Sequence, residues 1–307
     1  MKNELIDWIV FWGIFALLFF IDLFVSERRS EKISLKSSLV WSTIWTVAAL
    51  IFNVFIFYSL GKDRAVEFLA GYIIERSLSF DNLFVFLLIF QVMNISAENQ
   101  PHVLKWGILS AIVFRIIFIL AGVGLVTLFE PVIYIFGLIL LYAAYKMAFG
   151  GEQTINVENN WLVRLANKYM NFDPGYKGKK FFVTKDKKKF ATTIFLTFLL
   201  IESSDIIFAV DSIPAIIAIT KDTFIIISSN IFAILGLRAL YFALAALVDL
   251  FVYLKYGVAI ILFYVGVKMM ISDLYHISTE ISLGIIVVLL TGSIILSLFH
   301  KKKVVEK

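Results

Sequence analysis

The sequence has 307 residues, of which 61% are apolar and 17% charged, and its mean hydropathy is +0.92. A water-soluble domain of this length has too little interior to bury so much apolar surface, so soluble folds are excluded. The formal net charge of +5 would suit a nucleic-acid partner, but most lysines and arginines fall in alternate loops between apolar runs. That asymmetry is typical of membrane topology, so we expect no nucleic-acid partner.

Several classes of chemistry are excluded by what the sequence lacks. It contains no cysteine, which rules out a disulfide framework and a thiolate metal site. No nucleophile–base pair, phosphate-binding loop or cofactor motif occurs outside the apolar runs, so we expect neither an enzyme nor a covalently bound cofactor. The N-terminus does not resemble a cleavable signal, because Glu4 and Asp7 precede the first apolar run and no small-residue cleavage site follows it.

Apolar runs long enough to cross a bilayer occur along the whole chain. A hydrocarbon core of about 30 Å requires about 20 such residues in a helix. The predicted spans, in chain order, are 7–25, 39–60, 65–92, 103–128, 131–149, 191–219, 223–250, 254–271 and 281–299. The sequence therefore predicts an all-α polytopic membrane protein with about nine transmembrane helices. The basic loops share one side if the N-terminus is outside and the C-terminus cytoplasmic.

One sizeable polar segment, 150–190, separates the fifth and sixth spans. Residues 159–170 predict a short amphipathic helix on the membrane surface. Residues 179–190 predict a small hairpin that turns near Lys185 and Asp186. We interpret the segment as a basic cytoplasmic loop, which is either a solvated connector or a regulatory site.

Spans three to five resemble spans six to eight. Residues 134–147 (YIFGLILLYAAYKM) align without a gap with residues 256–269 (YGVAIILFYVGVKM). The positions that correspond further upstream are Arg115 with Arg238, and Glu75, Asp81 and Asn82 with Asp205, Asp211 and Ser212. Because the two copies are three spans apart, which is an odd number, the second copy is inverted in the membrane relative to the first. Two inverted three-helix repeats are the architecture of secondary transporters, which bind substrate near the bilayer midplane between the copies.

The repeat suggests a division of the chain into five parts. In order, they are peripheral spans one and two at 1–64, the first inverted repeat at 65–149, the cytoplasmic basic loop at 150–190, the second inverted repeat at 191–271, and the last span with its basic cytoplasmic tail at 272–307.

Charged residues lie deep within the third, fourth, sixth and seventh spans. They are Glu75, Asp81, Glu202, Asp205, Asp211, Arg76, Arg115 and Arg238. Each costs about 2.5–3.5 kcal/mol to insert, so they must face one another or a wet cavity. Five carboxylates against three guanidinium groups leave a net charge of −2, which one divalent cation or two protons would neutralise. We therefore expect a site that exchanges metal for protons, with the arginines balancing and orienting the acids; salt bridges that merely join helices are the alternative.

The available donors are all oxygens, from the carboxylates, the Asn82 amide and hydroxyls such as that of Ser212. Such a set suits Mn²⁺, Ca²⁺ or Mg²⁺ rather than Zn²⁺ or copper. Asp81 and Asp211 follow their partner acids by six residues, about 240° around a regular helix, and so point elsewhere. Pro214 predicts a helix break, and an unwound turn at 210–214 would bring Asp211 inward; a simple packing kink is the alternative. Asp22 lies near a span end, where we expect it to be interfacial.

Three segments resemble the signature segments of the TerC/Alx family of bacterial membrane proteins: ERSLSFDNLFVF (75–86), IESSDIIFAVDSIPAI (201–216) and SNIFAILGLRALYF (229–242). The resemblance implies a multi-pass inner-membrane protein connected with manganese export and tellurite resistance. It also implies that the ion is bound by the polar residues of the first two segments, which here are Glu75, Asp81, Asn82, Glu202, Asp205, Asp211 and Ser212.

The leading interpretation is a transporter that exports a divalent metal ion, foremost Mn²⁺, from the cytoplasm in exchange for protons or sodium. Its partners would be the metal ion and the lipid bilayer, and its oligomeric state is left open. One alternative is a non-transporting assembly or metallation factor whose partner surface is the loop at 150–190. The other is a cation channel or cation/proton antiporter without a preference for manganese.

Overall fold

The computed structural model describes residues 2–27, 35–129, 131–149, 161–173, 178–185, 188–247, 253–271, 274–275 and 277–305. Within these residues the chain forms α-helices and a small β-sheet. The helices are α1 Lys2–Glu27, α2 Leu35–Leu60, α3 Lys62–Val92, α4 Gln100–Leu128, α5 Val132–Phe149, α6 Trp161–Tyr169, α7 Thr193–Ile217, α8 Thr223–Ile234, α9 Leu237–Leu247, α10 Leu254–Met270 and α11 Thr279–Val305. The strands are β1 Asn171–Asp173, β2 Phe182–Lys185 and β3 Lys188–Thr192.

Every predicted span corresponds to one helix, except the seventh, which is divided between α8 and α9. Among the described residues, six helices are long and apolar enough to cross a membrane, and α8 with α9 makes a seventh if the bent pair is one span. Helix α3 is too rich in charge and α10, at 17 residues, is too short to be assigned in the same way. The described residues thus form an all-α polytopic bundle, while the count of nine spans stays a prediction.

Helix α7 does not break where the sequence predicts it. It is continuous from Thr193 to Ile217 with Pro214 inside it, so the expected unwound turn at 210–214 is wrong. Pro214 stands in the last turn, where its missing N–H removes one helical hydrogen bond and little helix remains to be disrupted. The start of α7 is capped by Thr192, whose hydroxyl accepts a hydrogen bond from the Phe195 amide.

The break occurs instead between α8 and α9. The two helices are bent by 44° relative to each other, and Gly236 in the connection has a φ of +80°. Only glycine adopts this conformation without strain, and a side chain at this position would overlap the Trp45 ring. At its other end, α8 is capped by Asp222, which accepts hydrogen bonds from the amides of Phe224 and Ile225.

Helices α3 and α8 form the interior of the bundle. All of α8 from Phe224 to Ile234 is buried, which explains why its sequence is apolar on most sides; its central polar residues are Ser228, Ser229 and Asn230. Helix α3 packs against α2, α7, α8 and α11, whereas α4 packs against α7 and α8 and α5 packs against α10. The outer helices α1, α2 and α11 expose large apolar side chains, as expected of surfaces that contact lipid.

The described part of the segment between α5 and α7 contains the two elements that the sequence predicts and one further strand. Helix α6 confirms the short amphipathic helix, and the antiparallel pair of β2 and β3 confirms the hairpin; its turn at 186–187 lies outside the described residues. Strand β1, which pairs in parallel with β3, was not predicted. Strand β3 ends at Thr192, directly before α7, and α6 packs against α7.

Candidate metal-ion site

A buried arginine connects four helices at the centre of the bundle. Arg115 of α4 forms an ion pair with Glu75 of α3. Its Nη1 atom also donates to Ser212 Oγ of α7 at 3.2 Å and to Asn230 Oδ1 of α8 at 3.1 Å. Glu75 is 0% exposed and Arg115 is 3% exposed. The predicted charge-balancing role of Arg115 is therefore consistent with its geometry.

A second acid, Asp205 of α7, lies beside this pair. It is 8% exposed and accepts a hydrogen bond of 3.4 Å from the Asn82 side-chain amide. Asp205 also interacts electrostatically with Arg115 and Glu75. Asn82 and Glu75 thus face the same cluster, as their spacing of seven residues on α3 predicts.

A third acid, Glu202, lies one turn before Asp205 and repels it electrostatically. Glu202 is 3% exposed, yet neither of its carboxylate oxygens has a hydrogen-bond partner of good geometry among the described residues. The Ser110 hydroxyl faces it but donates to the carbonyls of Trp106 and Gly107. Since a buried charge without a partner is costly, Glu202 is the clearest candidate for a group that needs a cation.

The charges of this described cluster do not balance. When ionised, Glu75, Glu202 and Asp205 carry three negative charges. Among the described residues, Arg115 supplies one positive charge, which pairs with Glu75 and interacts electrostatically with Asp205. Among the described residues the cluster therefore has a net charge of −2. At bilayer depth such an excess must be neutralised by protons, by a cation or by access of water.

Two predicted charge-balancing arginines have described partners outside this cluster. Arg76 donates to the carbonyls of Ala233 and Leu235 and to the Ser42 hydroxyl, so its expected charge-balancing role stays a prediction. Arg238 forms an ion pair of 2.7 Å with Asp22 and also donates to the Asp22 carbonyl. Asp22 is half-buried, with 15% of its side chain exposed, and its interfacial position stays a prediction.

Two predicted ligands cannot be placed. Asp81 and Asp211 belong to the helical backbones of α3 and α7, but their side chains lie outside the described residues, so their assignment stays a prediction. Among the side chains that are described, no three acidic or histidine residues converge closely enough to form a complete metal site.

Sequence reasoning missed Asn230, which accepts a hydrogen bond from Arg115. The residue is 0% exposed and stands in a long apolar span. A buried amide at bilayer depth is itself a signal of a polar contact, because such groups are costly unless they are hydrogen-bonded.

A bundle of long apolar helices around a cluster of buried carboxylates defines a polytopic integral membrane protein. The chain belongs to the integral membrane protein TerC family, whose family model matches residues 60–305.

Several bacterial relatives are similar over most of their length. The Myxococcus xanthus membrane protein STKORF319 is 44% identical over 254 residues, which are 83% of this chain and 80% of the relative. The Escherichia coli K12 protein named "Putative membrane-bound redox modulator Alx" is 44% identical over 239 residues, 78% of this chain and 74% of the relative. A membrane protein of Rickettsia bellii is 42% identical over 251 residues, 82% and 83% of the two chains. No solved structure matches the chain.

Proposed function

We propose that this protein transports a divalent metal ion, foremost Mn²⁺, through the buried carboxylate cluster, and exports it from the cytoplasm in exchange for protons or sodium. The observation that carries the proposal is the Glu202 carboxylate, which is buried and has no hydrogen-bond partner among the described residues. One divalent cation would neutralise the formal excess of two negative charges in the described cluster.

The donor atoms suit this substrate. Both Glu202 oxygens, Asn82 Oδ1 and Glu75 Oε2 are buried without a hydrogen-bond partner among the described residues, and Asp205 lies beside them. All are hard oxygen donors, which bind Mn²⁺, Mg²⁺ and Ca²⁺ in preference to softer metals. Manganese and the outward direction follow from the resemblance to the TerC/Alx family.

The packing of the helices supports two inverted repeats. If α3, α4 and α5 correspond to α7, the α8–α9 pair and α10, then the contact of α3 with α8 corresponds to that of α7 with α4. Both contacts are present, at Gly71 with Ser229 and at Ile201 with Gly107. Two such repeats, within nine spans of a bacterial inner membrane, would expose the acids alternately to each side.

The test is Mn²⁺ flux in proteoliposomes that contain the purified full-length protein. Glu202→Gln and Asp205→Asn remove negative charge from the cluster and should each lower the flux by about tenfold or more, since loss even of a group that supports a metal ligand typically costs about 10–100-fold in affinity or activity. Glu98→Gln makes the same chemical change at an exposed residue of the α3–α4 loop and should leave the flux unchanged.

The outcomes separate the alternatives. Wild-type flux in both acid-cluster variants would overturn the assignment of the site. Equal wild-type fluxes of Mn²⁺, Ca²⁺ and Mg²⁺ would favour a cation/proton antiporter without manganese preference. A wild-type protein that moves none of these ions would contradict transport and favour an assembly or metallation factor.

A further inference from the structure

The break between α8 and α9 places the carboxyl end of a half-helix inside the bundle. Ala233, Ile234 and Leu235 are each at most 2% exposed, so no bulk water reaches the carbonyls at this end. The last carbonyls of a helix have no intrahelical donor, and they concentrate the negative end of the helix dipole. A cation or a strong hydrogen-bond donor is therefore needed at this position.

The guanidinium of Arg76 supplies both. Its Nη1 atom lies 3.0 Å from the Ala233 carbonyl oxygen and 3.4 Å from that of Leu235, and its Nη2 atom lies 3.1 Å from Ser42 Oγ. The side chain reaches from α3 to the end of α8 and to α2. The permanent positive charge of Arg76 therefore lies beside the carbonyls at the carboxyl end of α8.

In transporters with broken helices, the carboxyl ends of half-helices and the adjacent unwound carbonyls hold the coupling cation. We propose that Arg76 is a built-in cation that fills this site in the TerC-family protein described here, so that transport requires no sodium ion. The inference rests on the proposed transport function and narrows its coupling ion to the proton.

The break is linked to the metal-ion site through α8. Asn230 lies one turn before the end of α8 and accepts a hydrogen bond from Arg115, which pairs with Glu75. Arg76 directly follows Glu75 on α3. Arg76, directly, and Glu75, through Arg115, therefore both connect α3 with α8. For this reason, loss of the positive charge of Arg76 should disturb metal transport.

The experiment measures Mn²⁺ flux in proteoliposomes in three media. In the first medium N-methylglucamine is the only bulk monovalent cation; the other two contain added Na⁺ or added guanidinium. Wild type should transport equally well in all three media. Arg76→Ala should lose about tenfold or more in N-methylglucamine, because a charge-assisted contact of about 1.5–3 kcal/mol is removed, and should recover when guanidinium or Na⁺ enters the vacated site. Arg76→Lys should stay independent of sodium.

A matched control is Ser42→Ala, which removes one hydrogen bond from the same guanidinium but retains the charge. We expect its flux to fall clearly less than that of Arg76→Ala and to be independent of sodium, because the positive charge at the break is retained. A comparable loss in Ser42→Ala and Arg76→Ala, without recovery in either cation, would mean that Arg76 only supports packing and would overturn the inference.

If Arg76→Ala does not fold, the flux of the wild-type protein still tests the inference. A wild-type protein that needs sodium for Mn²⁺ transport would contradict a built-in cation. Thermal unfolding in detergent separates this inference from the proposed function. If the wild-type protein moves no metal ion, the proposed transport function is wrong. A cation site at the break would still be supported if guanidinium raised the unfolding temperature of Arg76→Ala but not that of the wild-type protein. Equal responses of the two proteins would overturn it.

Discussion

Arg115 is in contact with three other helices at once. It pairs with Glu75 and donates to Ser212 and Asn230, and all four residues are buried. Such a group stabilises the fold only while its partners are present, because removal of one member of a buried ion pair leaves an uncompensated charge.

The pair of Arg115 and Glu75 can be tested by a double-mutant cycle. Arg115→Met should lower the free energy of unfolding by about 3–5 kcal/mol, since it leaves Glu75 buried and unbalanced. Arg115→Met combined with Glu75→Gln should recover part of this loss. The measurement is unfolding in detergent, followed by tryptophan fluorescence.

A control for this cycle is Arg64→Met. Arg64 pairs with Glu67 at 2.8 Å, but 41% of its side chain is exposed, so the substitution should cost about 1 kcal/mol or less. If Arg115→Met unfolded no more easily than Arg64→Met, the buried pair would not have the structural role assigned to it.

At the scale of elements, the main finding is the position of the helix break. Pro214 stands within a continuous α7, whereas Gly236 separates α8 from α9. The break depends on a positive φ and on the lack of a side chain beside Trp45.

We therefore expect Gly236→Ala to destabilise the protein. The strained φ alone costs about 1–3 kcal/mol, and the methyl group would in addition have to displace the Trp45 ring. Thermal unfolding in detergent measures the loss, and Gly284→Ala is the matched control, because a side chain there meets no atom within 4 Å. Equal unfolding temperatures for the two variants would contradict the proposed origin of the break.

At the scale of the whole molecule, the orientation in the membrane is open to direct test. The sequence has no cysteine, so a single introduced cysteine reports the sidedness of one loop. Glu98 lies between α3 and α4, and Tyr275 lies between α10 and α11; both are exposed.

With an outside N-terminus and nine spans, these two loops lie on opposite sides. In intact cells a membrane-impermeant maleimide should label Tyr275→Cys and leave Glu98→Cys unlabelled until the membrane is opened. Labelling of both variants in intact cells, or of Glu98→Cys alone, would contradict this topology.

The amino-acid sequence by itself determined the membrane class, the helix positions and most of the acid cluster. Bilayer thickness sets the length of an apolar run, and the cost of a charge at bilayer depth singles out residues such as Glu75, Glu202 and Asp205 before any fold is known. Helical spacing alone was enough to place Glu75 and Asn82 on one face of α3.

Only the tertiary structure decided which charged side chains form pairs and which polar groups they contact. Arg76 lies in a span beside an acid, but its described hydrogen bonds go to the carbonyls at the end of α8 and to Ser42 of α2. Arg238 forms an ion pair with Asp22 of the first helix. A pairing across helices depends on which segments pack together and at what rotation, and neither is encoded in the local spacing of one helix. For the same reason the break at Gly236 is explained by Trp45, a residue far away in the sequence that packs against it.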